Sequence, residues 1–142
     1  MEKERIGIDI GNVIFGGGGE DTSFFGENFL NTPVMKGSFK AVAELAEKFD
    51  VWLISKCGQK VQDKTLLWFE HHDFFEATGV NPEQVIFCRK RNEKAGIAAE
   101  LGIQAFIDDR EDIINSMKGI VPTPVLFHSW QETRRKHPKL FI

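Results

Sequence analysis

Asp9 ends the apolar run "RIGID", Ser55 ends "VWLIS", and Asp108 and Asp109 end "AFIDD". Lys94 stands at the start of "EKAGIAAELG", fourteen positions before Asp108. Ligands of open α/β sheets bind beyond the carboxyl ends of the strands. The candidate site is therefore Asp9, Gly11 and Asn12 after the first run and Ser55, Lys56 and Cys57 after the second. The basic run 89–91 with Lys94 follows the third, and Asp108 with Asp109 the fourth. Three carboxylates on two strand ends cannot sit close together uncompensated, because like charges in a low dielectric repel strongly. A divalent cation answers that, and oxygen ligands with no His or Cys among them favour Mg²⁺. Mg²⁺ on one or two carboxylates completes its shell with water and phosphate. Ser55, Lys56, Lys94 and the backbone N–H groups of Gly11 and Asn12 could hold that phosphate. The layout offers a metal site, an anion pocket and a nucleophilic carboxylate at once.

Holding such groups in place requires a rigid sheet. Five short, nearly continuous apolar runs, at 5–10, 51–55, 84–88, 104–108 and 124–128, read as strands buried on both faces. Helical patterns separate them. Phe39, Val42, Leu45, Ala46 and Phe49 recur at helical spacing, and residues 59–70 read as a second helix. A third runs through 92–101 and stops at Gly102, a residue suited to the left-handed position past a helix end. A fourth spans 109–117, and "SWQE" at 129–132 has capping-box spacing that starts a fifth. Alternating β and α units predict a doubly wound, mostly parallel five-stranded α/β sheet with helices on both faces. Residues 13–33 fit no period; a stretch that long after a strand reads as a flap or mobile loop.

The 142 residues suggest one domain, 1–142, without internal repeats. The apolar share of 42% and charged share of 27% are those of a soluble globular protein. A net charge of −3 argues against a general electrostatic nucleic-acid binder. Cys57 and Cys88 fit no zinc or CxxC spacing and read as reduced thiols. The start has no apolar signal region, no run approaches the ~20 residues that span a bilayer, and there is no GxGxxG for a dinucleotide. The expectation is a cytoplasmic protein with no membrane partner.

Taken in order, these motifs resemble the haloacid dehalogenase superfamily of phosphohydrolases. Its pattern is an apolar strand ending in an Asp nucleophile and another ending in Ser or Thr. A Lys follows, a short helix length before a strand that ends in an acidic pair. The resemblance implies that Asp9 attacks phosphorus and forms a phosphoaspartate. It implies Mg²⁺ held by Asp9, the carbonyl of Gly11 and the terminal acids, Asp109 directly and Asp108 through water. Ser55 and Lys94 would hold the transferring phosphoryl oxygens.

Many members carry a second Asp two residues after the nucleophile, as general acid and base. Gly11 stands there. Such a group is typically worth about 10²–10⁴-fold in rate. The expectation is a bias towards good leaving groups, or an acid from elsewhere such as His71, His72 or Glu20; the alternative is a catalytically impaired phosphate-binding or regulatory module. No interval between the motifs has room for the family's cap domain. An open site suits large substrates such as a phosphorylated polynucleotide end or protein, or closure by another copy in a homo-oligomer; a phosphorylated small molecule is the other partner class expected. "AFIDDREDII" also looks like the acidic motif of polynucleotide 3′-phosphatase domains, which implies a nucleotide or nucleic-acid phosphate.

Plainer roles stand beside these. Ser55 and Asp109 could be helix caps, and Lys94 and the 89–91 run solvated surface. His71 and His72 could answer a helix dipole, and Cys57 could be packing. The glycines at 16–19 read as a bend in the flap, and Phe24, Phe25 and Phe29 as flap packing or an oligomer contact.

Overall fold

The computed structural model describes residues 2–16 and 26–142. Five strands, β1 (Arg5–Ile8), β2 (Asp50–Lys56), β3 (Val85–Cys88), β4 (Ala105–Asp108) and β5 (Thr123–Leu126), form one sheet. Its order is β3-β2-β1-β4-β5 and every pairing is parallel. The expected α/β class holds, with the sheet wholly rather than mostly parallel. The helices are α1 (Ser38–Lys48), α2 (Gln59–His71), α3 (Phe74–Thr78), α4 (Glu93–Leu101), α5 (Glu111–Met117) and α6 (Trp130–Lys136). Among the described residues, no helix is long and apolar enough to cross a membrane.

Period-two alternation sends each strand's side chains to two separate cores. Ile6, Ile8, Val51, Leu53, Ala105, Ile107 and Val125 pack on one face against α1, α2, α3 and α6, through Leu45, Trp68, Phe69, Phe74 and Trp130. Trp52, Ile54, Ile86 and Phe106 pack on the other against α4 and α5, through Ala98, Ile113 and Met117. Gly7 lies under Phe106: a Cβ there would come 2.6 Å from its ring. Only glycine lets β1 and that ring share the second core.

Local chemistry ends the helices where the sequence places their stops. Gly102 takes φ 66° and closes α4 through its N–H to Ala98 and Ala99. The Ser129 side chain accepts the N–H of Glu132 and starts α6. The five-residue α3 has no counterpart in the sequence reading, because a single turn and a half shows no period. It enters through Asp73 at φ 51° and buries Phe74 completely. Phe74 stacks on Phe69 at 4.4 Å, so α3 closes the bottom of the first core.

Of residues 13–33, positions 17–25 lie outside the described residues, and with them Gly17 to Glu20, Phe24 and Phe25. The described ends are anchored. Val13, Ile14 and Phe15 are core residues. Thr32 is buried and its carbonyl accepts the Trp68 indole N–H at 3.0 Å. Phe29 packs against the same core.

Candidate active site

The strand order reverses between β1 and β4, and the crevice of a doubly wound sheet opens at such a reversal. Asp9 is one residue past β1 and still bonds across the gap, its N–H to the Ile107 carbonyl at 2.9 Å. Asp108 ends β4 and Asp109 follows it. One carboxylate oxygen from each of the three lies within 4.8 Å of the others. Lys94, in the first turn of α4, reaches into this cluster. Its Nζ donates to Asp9 Oδ1 at 3.0 Å and to Asp108 Oδ2 at 2.8 Å. Lys94 is 3% exposed, Asp9 7% and Asp108 0%.

The charges do not balance. Burial pushes the Asp9 carboxyl well above its ordinary range, and Asp108 and Asp109 push it the same way, against the pull of Lys94. Burial also raises Asp108, opposed by Lys94 and by the N–H of Arg110. Burial works to lower Lys94, but the two carboxylates outweigh it and hold the ammonium charged. One ammonium, bonded to Asp9 and Asp108, thus stands in a cluster of three acids. A buried ion pair of this kind is weak evidence for stability, because desolvation offsets most of its attraction. A pocket of hard oxygen donors with unanswered negative charge fits a divalent cation such as Mg²⁺.

Asp108 has both oxygens committed, Oδ2 to Lys94 and Oδ1 to the Arg110 N–H at 3.0 Å. Asp109 is half-buried, and the Asp109 capping role is not found: Arg110 occupies the N-cap of α5 without a side-chain cap bond. That leaves Asp109 facing the cluster rather than a helix end. The Ser55 capping role also fails, since Gly58 is the N-cap of α2.

The chain after Asp9 is tied down on several sides. Val13 and Ile14 N–H groups both return to the Ile10 carbonyl. Asn12 adopts φ 62°, a left-handed conformation that Asn tolerates, and its N–H meets Phe15 O at 2.8 Å. The Val13 carbonyl accepts the Trp130 indole N–H at 2.8 Å, and the Ile14 carbonyl accepts the Ser38 hydroxyl at 2.8 Å. The carbonyl and N–H groups at positions 9–12 are therefore held by the core, as a preorganised site needs. Gly11, Asn12, Ser55 and Lys56 line one cavity of about 150 Å³ beside Asp9. The structure so groups the sequence candidates in two sets: Asp9, Lys94, Asp108 and Asp109 in the charged cluster, and the other four in the adjoining wall.

Arg89, which the sequence places in the candidate basic run 89–91, has a bracing role that the sequence does not indicate. Its guanidinium donates to the Cys57 carbonyl at 2.8 Å and to the side chains of Gln59 and Gln62 at 2.9 Å each. It ties the end of β3 to the segment that follows Ser55 and Lys56. The basic run 89–91 offered only a run of charge as a signal, and charge runs usually face solvent. His72 stacks on Trp68 at 4.1 Å, with Nε2 2.8 Å from the Leu30 carbonyl. Neither His71 nor His72 lines the cavity or joins the acid cluster, and Glu20 lies outside the described residues. Burial pushes the Cys57 and Cys88 thiols up, which opposes thiolate chemistry.

No protein-family model matches the chain, and no curated protein matches it in sequence. Among solved structures, it is similar to the N-terminal part of a Bacteroides fragilis protein containing a phosphatase domain, crystallised with Mg. That likeness has a TM-score of 0.52 and 18% identity over 89% of this chain and 36% of the other. It is also similar to histidinol dehydrogenase from Elizabethkingia anophelis, at a TM-score of 0.45 and 11% identity over 94% of this chain and 29% of that one. The second is too distant to carry an argument. The chain spans about a third of the length of either solved structure. What it shares with the first is the fold, and that fold is one on which a phosphatase domain is built.

Proposed function

We propose that the chain is a magnesium-dependent phosphomonoester hydrolase of haloacid dehalogenase type, with Asp9 as nucleophile. The observation that carries this reading is a cluster of three carboxylates at the reversal point of the sheet, two of them sharing one ammonium. An arrangement that leaves a buried Asp undercompensated is costly, and it is found where charge is used. Residues 1–142 act in this reading as a single capless unit.

Asp9, Asp109 and the Gly11 carbonyl would hold Mg²⁺, with Asp108 orienting from behind. When bound, the cation would neutralise the carboxylates and draw charge from the phosphoryl oxygens. Asp9 attacks phosphorus: its oxygen–phosphorus bond forms as the bond to the leaving oxygen breaks. Lys94 stabilises the charge that gathers on the transferring phosphoryl group, and the Ser55 hydroxyl donates to it, with Lys56 and the N–H group of Gly11 on its other side; the Asn12 N–H is bonded to the Phe15 carbonyl and is not a donor to it. Water then attacks the phosphoaspartate, releases phosphate and restores the carboxylate. Held backbone and buried side chains make positioning the larger part of the catalysis.

Two substrate readings follow from the sequence, a small phosphomonoester and a nucleotide or nucleic-acid end. Arg89 of the basic run is committed to Cys57, Gln59 and Gln62, which favours the small phosphomonoester. Gly11 supports a second function, a phosphate-binding module without turnover. The test is phosphate release from nucleotides, 3′- and 5′-phosphorylated oligonucleotides, sugar phosphates and an aryl phosphate, with Mg²⁺, with EDTA and with Asp9→Asn. Mg²⁺-dependent release abolished by the substitution is the expected result. No release from any substrate, with Mg²⁺ still binding, refutes the hydrolase and leaves the binding module.

A further inference from the structure

The 150 Å³ cavity has a wall of two kinds. Gly11, Asn12 and Ser55 belong to the phosphate side, while Phe15, Cys57 and Val61 are apolar. The Thr65 hydroxyl also faces this region but is committed to the Val61 carbonyl at 2.7 Å. Asp9, Lys94 and Asp108 are not in the wall, so this volume is additional to the place a phosphoryl group takes against Asp9. About 150 Å³ is the volume that one benzene ring fills, and Phe15, Cys57 and Val61 give it an apolar side to lie against. Lys56 is the one charged residue among the described residues of the wall, which contains no carboxyl or imidazole.

Gly11 adds a second, independent observation. A Cβ built there meets no atom of the described residues within 4 Å, so the space a side chain at this position would use is open. Among the described residues of the wall no acid meets a leaving oxygen, which departs as an anion.

We propose that the cavity seats the leaving group, and that the substrate is a compact phosphomonoester of a ring-sized, mostly apolar alcohol whose oxyanion is stable, an aryl or enol phosphate. This rests on the hydrolase reading above. In the step, the Asp9 oxygen–phosphorus bond forms and the phosphorus–oxygen bond to the ring breaks. Its electron pair stays on the departing oxygen, which water protonates after release. Phe15 and Val61 set the size limit.

Three phosphates separate the ideas when assayed with Mg²⁺. Acetyl phosphate has no ring and reports Asp9 chemistry alone. Phenyl phosphate has ring and stable oxyanion, and cyclohexyl phosphate has ring size without the stable oxyanion. The expected order places phenyl above cyclohexyl phosphate by about 10²-fold or more in kcat/KM, the size of a missing general acid. Val61→Trp, which fills the cavity, should raise the KM for phenyl phosphate by about tenfold or more relative to the KM for acetyl phosphate. Val61→Ala should extend activity to naphthyl phosphate, which guards against a Val61→Trp protein that fails to fold. Equal rates on phenyl and cyclohexyl phosphate overturn the proposal, as do Val61 variants that leave the ring substrates unaffected. No turnover of acetyl phosphate overturns the hydrolase reading first, and this one with it.

Discussion

Replacing Asp9 by Asn should make the metal-free protein more stable and the magnesium-loaded protein less so. Asn keeps the shape of the side chain and an oxygen to accept the Lys94 ammonium, now 3.0 Å away. It removes one of the two carboxylates that share that ammonium, in a cluster of three acids. The fold raises the Asp9 carboxyl through burial first and through Asp108 and Asp109 next. A carboxyl raised on folding costs nothing below its unfolded value of 3.8 and costs stability increasingly above it. At neutral pH the charge therefore opposes folding, and Asn relieves it. Each tenfold by which the fold weakens the acid corresponds to about 1.4 kcal/mol. For a chain of this size 1 kcal/mol moves Tm by about 2–4 °C, so a rise of a few degrees in EDTA is expected. Mg²⁺ at a hundred times its Kd stabilises the native protein by about 2.7 kcal/mol, or roughly 5–11 °C, and the variant should lose most of that. The two melting curves should exchange order between EDTA and Mg²⁺, and in EDTA their separation should close as pH falls towards 4. Scanning calorimetry in both buffers reads this directly. An Asn variant less stable than the native protein in EDTA, or an equal Mg²⁺ shift for both, would refute the reasoning.

Three further outcomes are expected. Gly11→Asp restores a carboxylate where a side chain has open space; alkyl phosphate turnover should rise by about 10²-fold or more, and an intact variant with no gain would show that the acid is not what is missing. Arg89→Met removes the three bonds that hold the segment after Lys56. It should raise KM several-fold with a smaller effect on kcat and cost about 1 kcal/mol, a split that steady-state kinetics and urea melts resolve; loss of kcat alone would contradict a positioning role. Arg134→Ala breaks the ion pair to Glu44 and the stacking over Phe141 at 4.5 Å, and should cost about 1 kcal/mol at pH 7. The Arg134 hydrogen bond lowers the Glu44 carboxyl from the ordinary 4.5. The ion-pair share of that cost is thus present above 4.5 and lost as pH falls below it, and a cost that stays constant to pH 3 would show the pair contributes nothing.

The sequence was most informative where one short stretch decides its own conformation. Apolar runs between helical patterns identify all five strands, the interior β4 buried along its whole length and the edge strands β3 and β5 mostly half-buried. Gly102 and Ser129 mark a helix stop and a helix start by chemistry that reaches no further than four residues. The polar residues at the ends of those runs stand out for the same reason, since a sheet interior has no other use for them.

What the tertiary structure decided is everything that depends on residues far apart in the chain. Strand order is one: no local pattern says that β4 lies beside β1, yet that adjacency brings Asp9 within reach of Asp108 and Asp109. Lys94 is another. By composition it is a surface helix residue, and only the packing of α4 against the sheet turns its ammonium inward between two carboxylates separated by 99 positions of chain, 108 less 9. Arg89 reads as one of a run of charges until the fold brings the β2–α2 segment within reach of its guanidinium. Val13 to Phe15 read as the start of a loop until α1 and α6 cover them. Local backbone preference and side-chain period are properties of neighbours, so they are written in order along the chain. Charge balance, burial and cavity shape arise from contacts between distant segments, and they exist only once the sheet has brought those segments together.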